Sequence, residues 1–176
     1  MISRNHQSGA TLLELIAVIA LASAVLATTV TYSLPMIARE TLRGALQEGQ
    51  AFAQLAKIEA VSRNHACRFV VDTGTGALEV WDSLGTASID DDVLLHHGRI
   101  QQSVRFDRPD SGADVTLEQI GSSSRYQAVF RSDGMVAAGT GEVHLLGGER
   151  FGRLAIFAGG GVETAQWSGS QWKTGG

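Results

Sequence analysis

A chain of 176 residues, 44% hydrophobic and 18% charged, has room for one domain or a domain with an appendage, which excludes a large multidomain enzyme. Fourteen Lys and Arg against eighteen Asp and Glu leave a formal charge of −4, so the chain as a whole offers no general attraction for phosphate backbones. A single cysteine, Cys67, excludes an internal disulfide and a multi-cysteine zinc site and leaves apolar burial to hold the fold.

The chain opens on a polar stretch, Met1 to Ser8, that carries Arg4 and no acid, a charge that fits the cytoplasmic side of a membrane. From Ala10 to Ala38 the only charged side chain is Glu14, and Leu15 to Val30 is apolar or small throughout. About 20 helical residues cross a bilayer core of about 30 Å, so residues 10–35 are expected to form a transmembrane helix. A buried core helix is the plainer alternative, but such helices carry a polar stripe and this segment has none. A cleaved secretory signal also begins with a basic end and an apolar run. Here the run is too long, and the small-residue break, Ser8-Gly9, precedes it instead of following it.

The string Ser8-Gly9-Ala10-Thr11-Leu12-Leu13-Glu14-Leu15 resembles the class III signal of type IV pilins and type II secretion pseudopilins. That resemblance implies a leader over residues 1–9, cut by a prepilin peptidase between Gly9 and Ala10, with N-methylation of Ala10. It also implies a filament-assembly role for Glu14, fifth in the mature chain. Ala10 stands where the family usually has phenylalanine. Independently of the family, a carboxylate drawn to bilayer depth costs about 2.5–3.5 kcal/mol and needs a partner. The family supplies one in the freed α-amino group of a neighbouring subunit. The plainer reading of Glu14 is a headgroup-level carboxylate favoured by the helix dipole.

Beyond Pro35, Ile37, Leu42, Leu46, Phe52, Leu55, Ile58 and Val61 recur at spacings of mostly three to five, with charged residues between them, so residues 36–65 read as an amphipathic helix. Glu59 and Arg63 stand at i,i+4 in the favourable acid-first order. Gly44 and Gly49 each cost about 1 kcal/mol relative to Ala, so packing against a sheet must hold this stretch. Pro35 lacks an amide donor and is expected to kink the helix near the membrane exit.

Residues 66–176 read as a β-rich globular domain. Arg68–Val71 and Ala77–Trp81 flank the turn Asp72–Gly76 as a hairpin. Further strands are expected at Ser103–Asp107, Ala113–Gln119, Tyr126–Arg131, Met135–Ala138, Glu142–Leu146, Leu154–Phe157 and Val162–Trp167, separated by Gly- and Ser-rich turns. The expected fold class is α+β: a long N-terminal helix, membrane-spanning in its first half, packed by its second half on an antiparallel β-sheet or sandwich.

Ala56–Asn64 is similar to the helix end of the minor pseudopilin H and FimT/FimU minor pilins. Phe130–Val136 and Arg153–Val162 are similar to two late strand–glycine–strand elements of that family. Residues 83–105 match it least.

No other constellation carries chemistry. Asp90-Asp91-Asp92 lacks the spacing of a calcium loop and reads as solvated. His96 and His97 are adjacent, unlike an i,i+4 metal pair, and read as loop or surface residues. Cys67 beside His65 suggests a thiol–base pair, but a buried small residue at a helix-to-strand junction fits better. No nucleotide-binding, nucleophile-elbow or zinc-protease motif occurs, so neither catalysis nor a cofactor or metal is expected.

The resemblance therefore implies a minor pseudopilin, anchored once in the inner membrane with its globular domain in the periplasm. Such a subunit joins the type II secretion pseudopilus that exports folded proteins. The implied partners are the prepilin peptidase, other pseudopilins, the inner-membrane assembly platform and membrane lipid. The alternative is a minor type IV pilin acting in pilus assembly or DNA uptake. Residues 151–176 offer only Arg153 and Lys173, offset by Glu163, and that is little charge for DNA. Trp167 and Trp172 are more readily packing residues than base-stacking platforms.

Overall fold

The structure is a computed structural model describing residues 12–84 and 91–174, without the side chains of 27–35. One α-helix, α1, covers Leu12–Arg63. Asn64, at φ 56°, takes the left-handed conformation that ends a helix. The chain divides into two compact units, Met1–Ile37 and Ala38–Gly176.

The first unit is described as helix from Leu12. Its large apolar side chains are bare, from Leu12 at 77% exposed to Ile16 at 57%.

In the second unit α1 meets eleven strands among the described residues. They are β1 (Cys67–Asp72), β2 (Ala77–Asp82), β3 (Val93–Arg99), β4 (Val104–Phe106), β5 (Glu118–Gln119), β6 (Arg125–Phe130), β7 (Val136–Ala138), β8 (Gly141–Gly147), β9 (Arg150–Ile156), β10 (Val162–Trp167) and β11 (Trp172–Thr174). They form two antiparallel sheets, one in the order β3-β2-β1-β6-β5 with β7 also on β6, the other in the order β11-β10-β9-β8-β4. The α+β architecture with antiparallel sheets is as expected.

One core joins helix and sheets: Leu42, Leu46, Ala53, Ala56 and Ala60 of α1 pack with Phe69, Val80, Phe130, Leu154 and Ile156. The helix face that packs keeps Leu42, Leu46 and Phe52 of the expected set but differs in the rest. Small residues, Ala45, Gly49, Ala53, Ala56 and Ala60, carry most of it, whereas Ile37, Ile58 and Val61 are exposed. Small side chains let the helix backbone come close to the sheets. A Cβ on Gly49 would lie 3.2 Å from Leu154, and Gly152 of β9 leaves room for Leu46.

Three further expectations need correction. Residues 93–99, in the stretch that matches the family least, form β3, which carries His96 and His97, read as loop or surface residues. An edge strand is paired on one side only, so it does not need the apolar alternation that marks a half-buried strand. Ala113–Gln119 is not one strand: it supplies a single bridge, Val115 to Val143, and the two-residue β5. The Asp92 side chain, read as solvated, is buried, with its Oδ2 accepting from Arg68 Nε at 2.6 Å.

Candidate assembly surface

Of the expected N-terminal site, Gly9 and Ala10 lie outside the described residues. Glu14 stands in the first turn of α1. Pro35 falls within α1, and its side chain lies outside the description. Among the described residues no helix is long and apolar enough to cross a membrane. The expected span of 10–35 has described side chains only from 12 to 26. Over that stretch Leu12, Leu13, Leu15, Ile16, Val18 and Ile19 are all more than half exposed. An apolar face this continuous marks a surface built to meet lipid or protein.

The three segments of narrower resemblance meet at the far end of α1. Lys57 Nζ donates to the Gly160 carbonyl at 2.9 Å, tying the helix to the β9–β10 turn. Gly134 and Gly160 both hold positive φ, 78° and 73°, and a Cβ on Gly160 would fall 1.9 Å from the Gly134 carbonyl oxygen. Only glycine permits this contact of two turns. Val61, Met135 and Phe157, all about half exposed, stand on the segments that meet there.

Beside this contact runs a polar chain. Arg63 donates to Glu59 at 2.7 Å, the expected i,i+4 pair, and to Asp82 at 3.3 Å. His65 Nδ1 lies 3.1 Å from Asp82, and His96 Nε2 lies 3.2 Å from Glu59. The Arg63 hydrogen bond, followed by that of His96, lowers the Glu59 pKa. Burial pushes the Asp82 carboxyl up, but the Leu84 amide, His65 and Arg63 together outweigh it and hold the group below its ordinary value. His65 thus serves Asp82. Cys67 is fully buried at the start of β1, and burial pushes its thiol up to about 11, so it has the character of a small apolar residue. Among the described residues no group of three His, Cys, Asp or Glu side chains is placed to hold a metal ion.

At the other sheet, Trp167 packs on Trp172 with ring centroids 5.2 Å apart, and the His144 ring lies 5.3 Å from that of Trp172. Arg153 Nη1 donates to Glu142 at 3.0 Å and its guanidinium lies 5.2 Å from the Trp172 ring. It is therefore engaged within the fold. Counting charge along residues 151–176 missed Arg43 and Arg150, which the fold brings to the same groove as Lys173.

A family model described as Type II transport protein GspH matches residues 45–160. The chain belongs to the GspH family. The matched stretch includes the first two segments that meet around Lys57, Gly134 and Gly160 and the third as far as Gly160, and it begins within the packed half of α1. Two crystal structures of the Pseudomonas aeruginosa type IV minor pilin FimU are similar in fold to this GspH-family chain. One shares 18% identity with a TM-score of 0.51, over 77% of this chain and 94% of FimU. The other, in a second crystal form, shares 16% identity with a TM-score of 0.50, over 75% and 97%. Comparison with curated proteins gave no match.

Proposed function

We propose that the chain is a minor pseudopilin, a non-catalytic structural subunit of the type II secretion pseudopilus. In this reading a prepilin peptidase cuts between Gly9 and Ala10 and methylates Ala10. The apolar segment to Pro35 first crosses the inner membrane and then packs in the filament, with a bend at Pro35. The β-rich unit stands in the periplasm against other pseudopilins, and the assembly platform draws the subunit into the filament. The observation that carries this reading is the bare apolar face from Leu12 to Leu26 in a chain of the GspH family. The likeness to FimU supports a second reading, a minor type IV pilin in pilus assembly or DNA uptake.

Both readings make Glu14 the assembly contact. Glu14→Ala is expected to leave membrane insertion and cleavage intact and to lower recovery in sheared filaments more than about tenfold. That is the order set by the cost of leaving the neighbour's amine unpaired. Recovery at the wild-type level would overturn the role of Glu14. The identity of the major subunit that co-purifies with the wild-type chain separates the pseudopilus from the pilus.

A further inference from the structure

Three cations of the second unit that no Asp or Glu pairs among the described residues share one groove. Arg43 of α1, Arg150 of β9 and Lys173 of β11 line one groove of about 400 Å³ with Gln166, Trp167 and Thr174, and no Asp or Glu lines it. A second hollow of about 220 Å³ shares Arg43 and Gln166 and runs on along the helix past Gln47 and Gln50. All three cations are exposed, and among the described residues none is ion-paired, whereas Arg63, Arg68, Arg125 and Arg153 each hold a carboxylate. Glu40 and Glu149 are near in sequence but do not line the groove.

The register of the sheet builds this site. Gln166 pairs with both Lys173 and Gly152, so the three stand in one row across β11, β10 and β9. A Cβ on Gly152 would lie 2.6 Å from Leu46, so the row faces α1, and Arg43 stands one turn before Leu46. Arg150 is two residues from Gly152 and shares its face. The β8–β9 turn sits on the start of the packed helix: a Cβ on Gly148, at φ 62°, would lie 2.9 Å from Ala38 Cβ. The groove is therefore at the end of the unit where the chain enters it.

That location selects the partner. Arg43 follows Pro35 by eight residues, so even a fully extended chain keeps it within about 28 Å of the end of the expected membrane segment. Long cationic side chains reach toward a headgroup layer, and a tryptophan suits the same interface. Three cations in a short groove, on a chain of net charge −4, match one phosphate group better than a long phosphate backbone.

We propose that this groove seats the phosphate of an anionic lipid headgroup in the periplasmic leaflet, docking the β-rich unit on the bilayer before the subunit enters a filament. The inference rests on the membrane-anchored reading above. Guanidinium and ammonium groups supply the charge-assisted hydrogen bonds, and Gln166 adds a neutral donor.

The test uses the full chain carrying Ser170→Cys, in the exposed β10–β11 turn outside the groove lining, labelled with an environment-sensitive dye while buried Cys67 stays protected. The labelled chain is reconstituted into phosphatidylcholine vesicles with or without phosphatidylglycerol. Dye emission is expected to shift to shorter wavelength only with phosphatidylglycerol. Arg43→Gln, Arg150→Gln and Lys173→Gln are each expected to lower the docked-to-free ratio about fivefold at low salt. An inserted chain with the same emission in both lipids would overturn the inference and leave the membrane reading standing. So would the same shift produced by inorganic phosphate, which makes this a free-phosphate site, or by single-stranded DNA, which makes it a nucleic-acid site. A chain that floats with neither vesicle would overturn both readings.

Discussion

Asp82 closes β2 with its side chain 2% exposed and bonds to the Leu84 amide, His65 and Arg63. An acid whose folded pKa lies below its unfolded value of about 3.9 stabilises the fold fully above that pH and loses the contribution as pH falls through the folded value. Glu59 and Asp72 shift in the same direction. Asp92 runs the other way: burial raises its pKa despite Arg68, so its charged form costs stability at neutral pH and acid relieves that cost. Asp82→Asn is expected to destabilise the chain by about 1–3 kcal/mol at pH 7, because its charge-assisted partners lose their acceptor. The difference from wild type should shrink at a pH below the folded value, itself under the ordinary value of about 3.9, where the native carboxylate also protonates. Urea unfolding in detergent micelles at both pH values reads this out. An equal gap at the two would show that Asp82 acts by shape alone.

Among the elements, the packed half of α1 departs furthest from the pattern visible in its sequence. The helix itself, its Leu42 and Leu46 anchors and the Glu59–Arg63 pair follow from spacing, and all are present. The buried face was not legible, because alanine fits core and surface equally well while Ile58 and Val61 draw the eye to the exposed side. Ala56→Leu, placed where exposure is 0%, is therefore expected to overpack and cost about 1–3 kcal/mol. Ile58→Ser, at 61% exposed, should change stability by less than about 0.5 kcal/mol. Thermal unfolding of the two variants decides this, and the reverse order would place the helix on its other face. Hairpins such as β1–β2 and β9–β10 were legible from their glycine turns. The edge strand β3 was hidden by its His-His-Gly-Arg run, and β11 by its three-residue length.

At the scale of the whole molecule, the N-terminal motif and the late glycine turns pointed to one family from separate parts of the chain. The match over residues 45–160 shows that family, and the fold is like that of FimU. What remained hidden in the sequence is what only topology brings together: Lys57 on Gly160, His65 on Asp82, and the groove of Arg43, Arg150 and Lys173. No local pattern joins Lys57 to a glycine 103 positions on, or His65 to an acid across a helix end and a hairpin. In the proposed function the apolar helix is freed of a short leader and packs among its like. Intact-mass and N-terminal sequencing of the chain recovered from cell envelopes tests it most directly. The expected chain begins at a methylated Ala10 and lacks residues 1–9, whereas a chain that still begins at Met1 would contradict the account.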